Sequence, residues 1–326
     1  MEDKNSISLM LIVTLGCNAG CNHCCFSCDT HKRDLRLTEK EMVYYIEQVY
    51  KSKYNVNSII FSGGEPTLCK EDIYLPMLVA QQLNLHIDLR TNAHWAKNEK
   101  VSYRVLQEYQ NMGLQQLGLS YDNYHSAIPV KHIKNAILAS RKLGIKTYLD
   151  WIGLETYEFV LEQLQLNKEE LRAVIPPLRV GRATGLSDNH FTDISIDMFR
   201  NSPSCKDSNK LLTIFPGGFA ALHQCCWVNP SLIRKVGDNG WLKELDRDMK
   251  HSPMVKFLDS YGIRGLIEKA EREQPQLLKQ CYSYQCEICY NLLGALFPEE
   301  TQILPEYIKE FGTEERILTA PGIRGI

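Results

Sequence analysis

Cysteines at short, regular intervals are the residues of this chain that most directly indicate chemistry. Cys17, Cys21 and Cys24 follow one another as C-x3-C-x2-C, immediately after an apolar segment. Three thiolates at this spacing can hold three irons of a [4Fe–4S] cluster and leave the fourth iron open for another ligand. A structural zinc site needs four ligands and more usually contains pairs of CxxC. The spacing therefore predicts an iron–sulfur cluster with one open iron.

Cysteine usage depends on the compartment, which the N-terminal residues help to define. The chain has 326 residues and 12 cysteines, and it starts MEDKNSISLMLIVTLGCN, without the basic start and small-residue cleavage site of a secretory signal. No window reaches the roughly 18 apolar residues of a membrane span. We therefore expect a cytoplasmic location, where dense cysteines indicate metal binding or catalysis rather than disulfides.

The overall composition is that of an ordinary globular protein. Hydrophobic residues make up 44% and charged residues 23%, which excludes a disordered or low-complexity chain. The 37 basic and 39 acidic residues give a net charge of -2, so no basic surplus favours nucleic acids or anionic membranes as partners.

The elements that must position these cysteines alternate between strands and helices through the first half of the chain. Short β-branched runs predict strands at 7–14, 56–62, 85–91, 115–121, 145–152 and 173–180. Amphipathic stretches predict helices at 38–54, 70–83, 98–112, 130–143 and 155–164. About six βα units predict an α/β fold with a parallel sheet, in which ligands gather at the carboxyl ends of the strands.

A second chemical motif lies at the end of the second predicted strand. Ser62–Gly63–Gly64–Glu65–Pro66 offers backbone N–H groups and a carboxylate that can clasp an amino-acid ligand. Together, CxxxCxxC after strand one and GGEP after strand two resemble the radical S-adenosylmethionine (SAM) enzymes. The resemblance implies a partial (β/α)6 TIM-like barrel that binds the cluster and SAM. It also implies cleavage of SAM to a 5′-deoxyadenosyl radical, which abstracts hydrogen from an unactivated C–H bond.

The resemblance also implies which residues contact SAM. Gly63, Gly64 and Glu65 would hold the amino group, and either Arg179 or Arg182 would pair with the carboxylate, for which a surface charge is the alternative. His23 occupies the position before the third cysteine, where the family usually has an aromatic residue against adenine. Contacts to ribose and methionine fall at the ends of strands three and four, at Thr91, Asn92, Ser120 and Asp122.

Beyond Arg182 the βα alternation stops. A hairpin is predicted from Leu211–Phe215 and Phe219–His223 around Pro216–Gly217–Gly218, followed by helices at 241–250 and 254–273. We expect residues 1–185 to form the barrel and residues 186–326 to form a smaller auxiliary cluster domain with C-terminal helices. The shortened auxiliary domains of the family (truncated SPASM or Twitch domains) use a hairpin and a late CxxC in this way.

The cysteines of the second part suffice for a further metal site. Cys205, Cys225, Cys286 and Cys289 are the predicted ligands of an auxiliary [4Fe–4S] cluster, and a zinc site is the alternative. Adjacent cysteines rarely both ligate one cluster, so one of Cys225 and Cys226 is predicted to be a free thiol. We assign Cys225 as the ligand and Cys226 as the catalytic hydrogen-atom donor, for which a buried apolar role is the alternative. Cys281 could replace one of the assigned ligands.

The whole pattern is similar to the radical SAM peptide epimerases of ribosomally made peptides. The shared features are CNAGCNHCCFSC, LSYDNYH, Cys205, the CC pair after the hairpin and the late CxxC. The resemblance implies a precursor peptide as substrate, a reductant such as flavodoxin or ferredoxin, and conversion of L- to D-residues. The alternatives are thioether or carbon–carbon crosslinking of a peptide, small-molecule cyclisation, and a non-catalytic iron–sulfur sensor. GGEP argues against a sensor, which has no use for a SAM clasp.

Overall fold

The chain divides into two compact units, which we describe separately. The computed structural model describes residues 6–202, 210–223, 229–236 and 240–300. The first unit contains the chain up to Asn22 together with Cys28–Ile175. The second contains His23–Ser27 and the chain from Pro176 onwards.

Six parallel strands form the sheet of the first unit, each paired with the next along the chain. Helices between them return the chain to the start of each following strand, which confirms the predicted α/β class. The strands are β1 (Ser6–Thr14), β2 (Asn55–Gly63), β3 (His86–Thr91), β4 (Leu114–Ser120), β5 (Lys146–Ile152) and β6 (Leu171–Ile175).

The five connecting helices agree with the amphipathic periodicity. They are α1 (Glu39–Tyr50), α2 (Lys70–Gln82), α3 (Glu99–Asn111), α4 (Val130–Leu143) and α5 (Tyr157–Leu164). Thr38 and Glu41 form a capping box that starts α1, since each side chain bonds the backbone N–H of the other residue. Gly144, at φ +68°, ends α4 with the left-handed conformation that glycine adopts without strain.

The last strand of this sheet is shorter than predicted. The prediction extended the strand to Val180, whereas β6 ends at Ile175. Pro176 and Pro177 follow directly, and proline has no N–H to donate to a sheet ladder. The residues after Ile175 therefore form a turn instead of continuing the strand.

The second unit contains the predicted hairpin. β8 (Lys210–Phe215) and β9 (Phe219–His223) pair antiparallel, and Gly217 and Gly218 have φ of +78° and +76° in the turn between them. β10 (Arg234–Lys235) extends this hairpin, and the short strands β7 (Ile194–Ser195) and β11 (Cys281–Tyr282) pair with each other.

Three helices complete the described part of the second unit. They are α6 (Trp241–His251), α7 (Pro253–Glu273), which is interrupted at Gly262, and α8 (Gln285–Leu296). The late CxxC lies on α8. Across the described ranges of both units, no helix is long and apolar enough to span a membrane.

Candidate active site

The first two motif cysteines lie in the loop that follows β1. Cys17 and Cys21 are both buried, with 9% and 7% of their surface exposed. The loop is closed at its base, because the Cys17 N–H donates to the Asp29 carbonyl at 3.0 Å. The Gly16 N–H donates to the Thr14 hydroxyl at 2.9 Å. These bonds hold the cysteines at the carboxyl end of the sheet.

Gly64 and Glu65, which follow β2, lie directly against this loop. The Gly64 N–H donates to the Thr14 carbonyl at 2.6 Å, and the Glu65 N–H donates to the Gly16 carbonyl at 2.9 Å. A Cβ on Gly64 would lie 2.2 Å from the Gly16 carbonyl oxygen, so only glycine allows this approach. The backbone N–H groups expected to clasp an amino acid are therefore used to hold the cysteine loop. An ammonium group is itself a donor and needs acceptors, so this use is compatible with SAM binding.

The Glu65 carboxylate connects the ends of β2 and β3. It is fully buried, and its Oε1 accepts bonds from the Thr67 N–H at 3.1 Å, the Thr67 hydroxyl and the Thr91 hydroxyl at 2.8 Å. Its Oε2 accepts the Asn92 N–H at 2.7 Å. One protein donor on Oε2 leaves that oxygen with capacity for a further donor.

The Asn92 side chain reaches from the end of β3 to the cysteine loop. Its Nδ2 donates to Asn18 Oδ1 at 2.9 Å and lies 3.9 Å from the Cys17 sulfur. The two SAM-contact candidates Thr91 and Asn92 are thus brought together with Glu65 and Cys17 in one buried hydrogen-bonded group.

The residues after β4 form a second contact with the cysteine loop. Ser120 ends the strand with an exposed side chain, and Asp122 is buried. Asp122 Oδ1 accepts the Tyr124 N–H at 2.8 Å and lies 2.9 Å from His125 Nδ1. The His125 side chain also hydrogen-bonds the Cys21 thiol. Asp122 therefore has the structural hydrogen-bonding role of orienting His125.

Burial and charge act in opposite directions on His125. Burial lowers its pKa, but the charge of Asp122, the hydrogen bond to it and the contact with Cys21 raise the pKa to about 10. His125 is thus in contact with both the Asp122 carboxylate and the Cys21 sulfur. Donors on both Cys17 and Cys21 suit sulfurs that carry negative charge as metal ligands.

The third motif cysteine belongs to the second unit, within His23–Ser27. The Cys24 carbonyl accepts the Arg182 N–H at 3.0 Å and the Ser27 N–H at 3.2 Å. A Cβ on Gly181 would lie 2.6 Å from this same carbonyl oxygen, so the turn after β6 must have glycine there. Tyr290 of α8 stabilises this turn through a hydrogen bond with the Gly181 backbone. Burial raises the pKa of the Tyr290 hydroxyl.

The two candidate arginines differ in their surroundings. The Arg179 guanidinium lies 3.3 Å from Asp188 and 3.6 Å from both Asp193 and Glu287, with its plane over the Phe191 ring at 4.1 Å. Protein carboxylates therefore already compensate its charge. The backbone N–H of Arg182 donates to the Cys24 carbonyl, so each of the two candidate arginines has partners within the second unit.

The late cysteines lie at the start of α8. Cys286 is the second residue of the helix and Cys289 lies one turn on, where the N-terminal end of the helix dipole favours thiolates. Buried Asn229 donates its amide to the Cys289 carbonyl at 3.0 Å and lies 3.9 Å from the Cys289 sulfur. Cys281 lies in β11, paired with Ser195. Cys205, Cys225 and Cys226 lie outside the described residues.

Three residues contribute to this arrangement in ways that the sequence interpretation did not predict. Gly181 and Asn229 were not singled out, and Asn92 was interpreted only as a contact to SAM. The glycine in RVGRA was the only available signal for the turn beside Cys24. Nothing in the local pattern around Asn229 indicates a contact with a cysteine sixty residues later.

Comparison with known proteins gives matches in sequence and in fold. Residues 11–170 match the family described as the Radical SAM superfamily. YydG of Bacillus subtilis (strain 168), named for peptide biosynthesis, is 28% identical over 127 residues. The match covers 39% of this chain, and the chain spans 39% of the length of that relative.

Two solved structures are similar over most of the chain. anSMEcpe with bound AdoMet and Kp18Cys peptide is 14% identical, and the match covers 92% of this chain and 99% of that one with a TM-score of 0.50. anSMEcpe with AdoMet is 13% identical, with coverage of 92% and 100% and a TM-score of 0.49. At this level of identity the first likeness is one of fold.

Proposed function

Because residues 11–170 belong to the radical SAM superfamily, we propose that this chain is an enzyme that epimerises L- to D-residues in a ribosomally made peptide. The parallel sheet of the first unit is the partial barrel of that superfamily, whose members use a [4Fe–4S] cluster and SAM. When bound, these cofactors supply a 5′-deoxyadenosyl radical that removes a hydrogen atom from a C–H bond.

Cys17, Cys21 and Cys24 would hold the cluster. The donor set fits, since cysteine thiolates are the usual ligands of iron–sulfur clusters and Asn92 and His125 direct donors at the sulfurs of Cys17 and Cys21. Glu65 Oε2 would bind the amino group of SAM, and either Arg179 or Arg182 would pair with its carboxylate. This arrangement supports radical chemistry at the carboxyl end of the sheet.

The peptide as substrate is supported by the kind of relatives found. The curated relative is named for peptide biosynthesis, and anSMEcpe was solved with a peptide bound. The residues LSYDNYH and the CC pair agree with the peptide epimerases in sequence. Loss of the Cα hydrogen from an L-residue leaves a planar radical that the flanking amides stabilise. Because the radical is planar, the original configuration at Cα is lost.

The contact between Asn229 and Cys289 is the observation that best supports the proposed auxiliary metal site. Asn229 follows the CC pair closely in the sequence. Its side-chain amide donates to the backbone carbonyl of the second cysteine of the CxxC. The contact supports a site shared by Cys205, Cys225, Cys286 and Cys289, which an auxiliary [4Fe–4S] cluster fits. We assign Cys225 to this ligand set and Cys226 to hydrogen-atom donation.

The return of hydrogen follows from thiol chemistry. The S–H bond of Cys226 breaks, and a new Cα–H bond forms on the face opposite to the one that lost hydrogen. The sulfur radical that remains takes one electron and one proton to restore the thiol. A flavodoxin- or ferredoxin-class reductant would supply the electron and solvent the proton, and an auxiliary cluster held by the late cysteines would supply electron-transfer chemistry.

Deuterium incorporation tests the reaction. The anaerobically reconstituted full chain is incubated in deuterated water with SAM, reductant and synthetic peptides corresponding to the short reading frames beside its gene. The Cys226 thiol hydrogen exchanges with solvent deuterium before turnover, so each epimerised residue receives a single deuterium from it. A crosslinked product instead loses two hydrogens and contradicts the epimerase assignment. Absence of 5′-deoxyadenosine under all conditions would contradict the enzyme assignment itself.

A further inference from the structure

Asn92 bonds both the GGEP motif and the cysteine loop, in addition to the direct backbone bonds between them. It lies at the end of β3 with 5% of its surface exposed, so its polar groups have little access to water. Every polar group that it presents to these two motifs has a protein partner. Its backbone N–H donates to Glu65 Oε2 at 2.7 Å, and its Oδ1 accepts the His94 N–H at 3.0 Å.

The side-chain amide has two N–H groups, and both are directed at the cysteine loop. One donates to Asn18 Oδ1 at 2.9 Å, which fixes the plane of the amide. With His94 on the opposite oxygen, the amide cannot flip without losing both bonds. The second N–H then faces the Cys17 sulfur, with 3.9 Å between nitrogen and sulfur.

The Cys17 sulfur therefore has two N–H donors within one unit. The Ala19 backbone N–H lies 3.4 Å from it and belongs to the same loop, whereas Asn92 directly follows β3. A sulfur that ligates a cluster gains electron density when the cluster is reduced. Hydrogen bonds to sulfur stabilise that state and make reduction easier.

We propose that Asn92 is a positioning residue that orients Cys17 and raises the reduction potential of the cluster that Cys17 ligates. In this role it acts on the cluster through the cysteine and does not need to contact SAM. Its backbone N–H also bonds Glu65, so the same residue contacts the SAM clasp through its backbone and the cysteine loop through its side chain. The inference rests on the radical SAM part of the proposed function and is independent of the peptide reaction.

A redox titration without peptide separates this inference from the peptide chemistry. The full chain and the variants Asn92→Ala and Asn92→Leu are reconstituted anaerobically, and iron and sulfide are counted. Leucine keeps the branched shape of asparagine and has no N–H donors. The fraction of reduced cluster is then followed by electron paramagnetic resonance as the potential is varied.

The matched control is Asn135→Ala. Asn135 also donates a partly buried amide, to the Ala96 carbonyl at 2.9 Å in the loop after β3, and this bond does not involve a cysteine. This control measures how the loss of a partly buried amide that does not contact a cysteine affects cluster content and protein stability. We expect its cluster to titrate like that of the unmodified chain.

Both Asn92 variants should be harder to reduce. At a fixed potential we expect the ratio of reduced to oxidised cluster to fall by up to about tenfold, which for a one-electron couple is about 59 mV. Loss of iron from both variants, with normal loading of Asn135→Ala and an unchanged unfolding midpoint, also supports the positioning role. Full loading and an unchanged potential in both Asn92 variants overturns the proposal. A peptide product that is not epimerised leaves this result intact.

Discussion

The Thr91 hydroxyl donates to the buried Glu65 carboxylate at 2.8 Å and joins the ends of β3 and β2. Glu65 accepts backbone N–H groups on both of its oxygens, from Thr67 on Oε1 and from Asn92 on Oε2. The carboxylate is therefore a structural centre of the site as well as the candidate partner of the SAM ammonium group. Because of this double role, we expect Glu65→Gln and Thr67→Val to differ in their effects on SAM binding.

Glu65→Gln should lower both stability and SAM affinity. Whichever way the new amide is oriented, its NH2 group faces one of the two backbone donors, so a buried N–H loses its acceptor. We expect a loss of about 1–3 kcal/mol in the free energy of unfolding. Thr67→Val removes only a hydroxyl donor and should bind SAM normally. Equal SAM affinity of Glu65→Gln and the unmodified chain, measured by calorimetry, would contradict the clasp assignment.

Gly64→Ala should prevent assembly of the first cluster. Its Cβ would lie 2.2 Å from the Gly16 carbonyl oxygen, so the cysteine loop would have to move. Gly20→Ala is the control in the same loop, because Gly20 has φ +61° but nothing within 4 Å of its Cβ position. We expect Gly20→Ala to cost about 1–2 kcal/mol from its left-handed conformation and to retain iron. Equal iron content in the two variants would show that close packing against Gly16 is not required.

Substitution of the adjacent cysteines should separate ligand from hydrogen donor. Cys225→Ala should lower the iron content by up to about four atoms per chain, because the auxiliary cluster loses a ligand. Cys226→Ala should retain its iron and still form 5′-deoxyadenosine, but it should return no solvent deuterium to the peptide. Iron analysis and mass spectrometry measure the two effects. The opposite pattern would exchange the two roles, and unchanged deuterium incorporation in both variants would eliminate a donor at this pair.

Asp88 should make the chain less stable as the pH rises. The residue is 4% exposed, and burial raises the pKa of its carboxyl above the usual 3.8. The folded state then holds a proton that the unfolded state has already released, so stability falls as the pH rises from about 3.8 through the raised pKa. Asp88→Asn is neutral and keeps an oxygen for the Tyr148 hydroxyl, which donates to Asp88 at 2.8 Å.

Denaturant unfolding from about pH 3 to pH 8, which includes the usual pKa values of both Asp and Glu, tests the Asp88 prediction. The stability of Asp88→Asn relative to the unmodified chain should increase with pH. Glu99→Gln is the control, because Glu99 is an exposed acid whose pKa is lowered by its hydrogen bond and ion pair with Lys142. Its loss should have a small effect of the opposite sign. A difference for Asp88→Asn that does not vary with pH would show that the buried carboxyl is not protonated preferentially in the folded state.

Local patterns in the sequence were sufficient for the order of elements and for the first cluster motif. Periodicity predicted helix α4 with the observed bounds Val130–Leu143, because apolar spacing and capping are properties of neighbouring residues. The same holds for the hairpin around Gly217 and Gly218. The strand that ends at Ile175 was predicted too long, although the signal of Pro176 and Pro177 was present.

Which atoms meet at the site was decided by the tertiary structure. Asn92 and Cys17 are 75 positions apart, and Asn229 and Cys289 are 60 positions apart. Such contacts depend on strand register and on the paths of loops, which no local pattern encodes. The sequence by itself therefore determined that the chain has a cysteine loop and a GGEP motif at neighbouring strand ends. Only the packing of β1, β2 and β3 decided that the GGEP N–H groups bind the cysteine loop and that Asn92 reaches the sulfur.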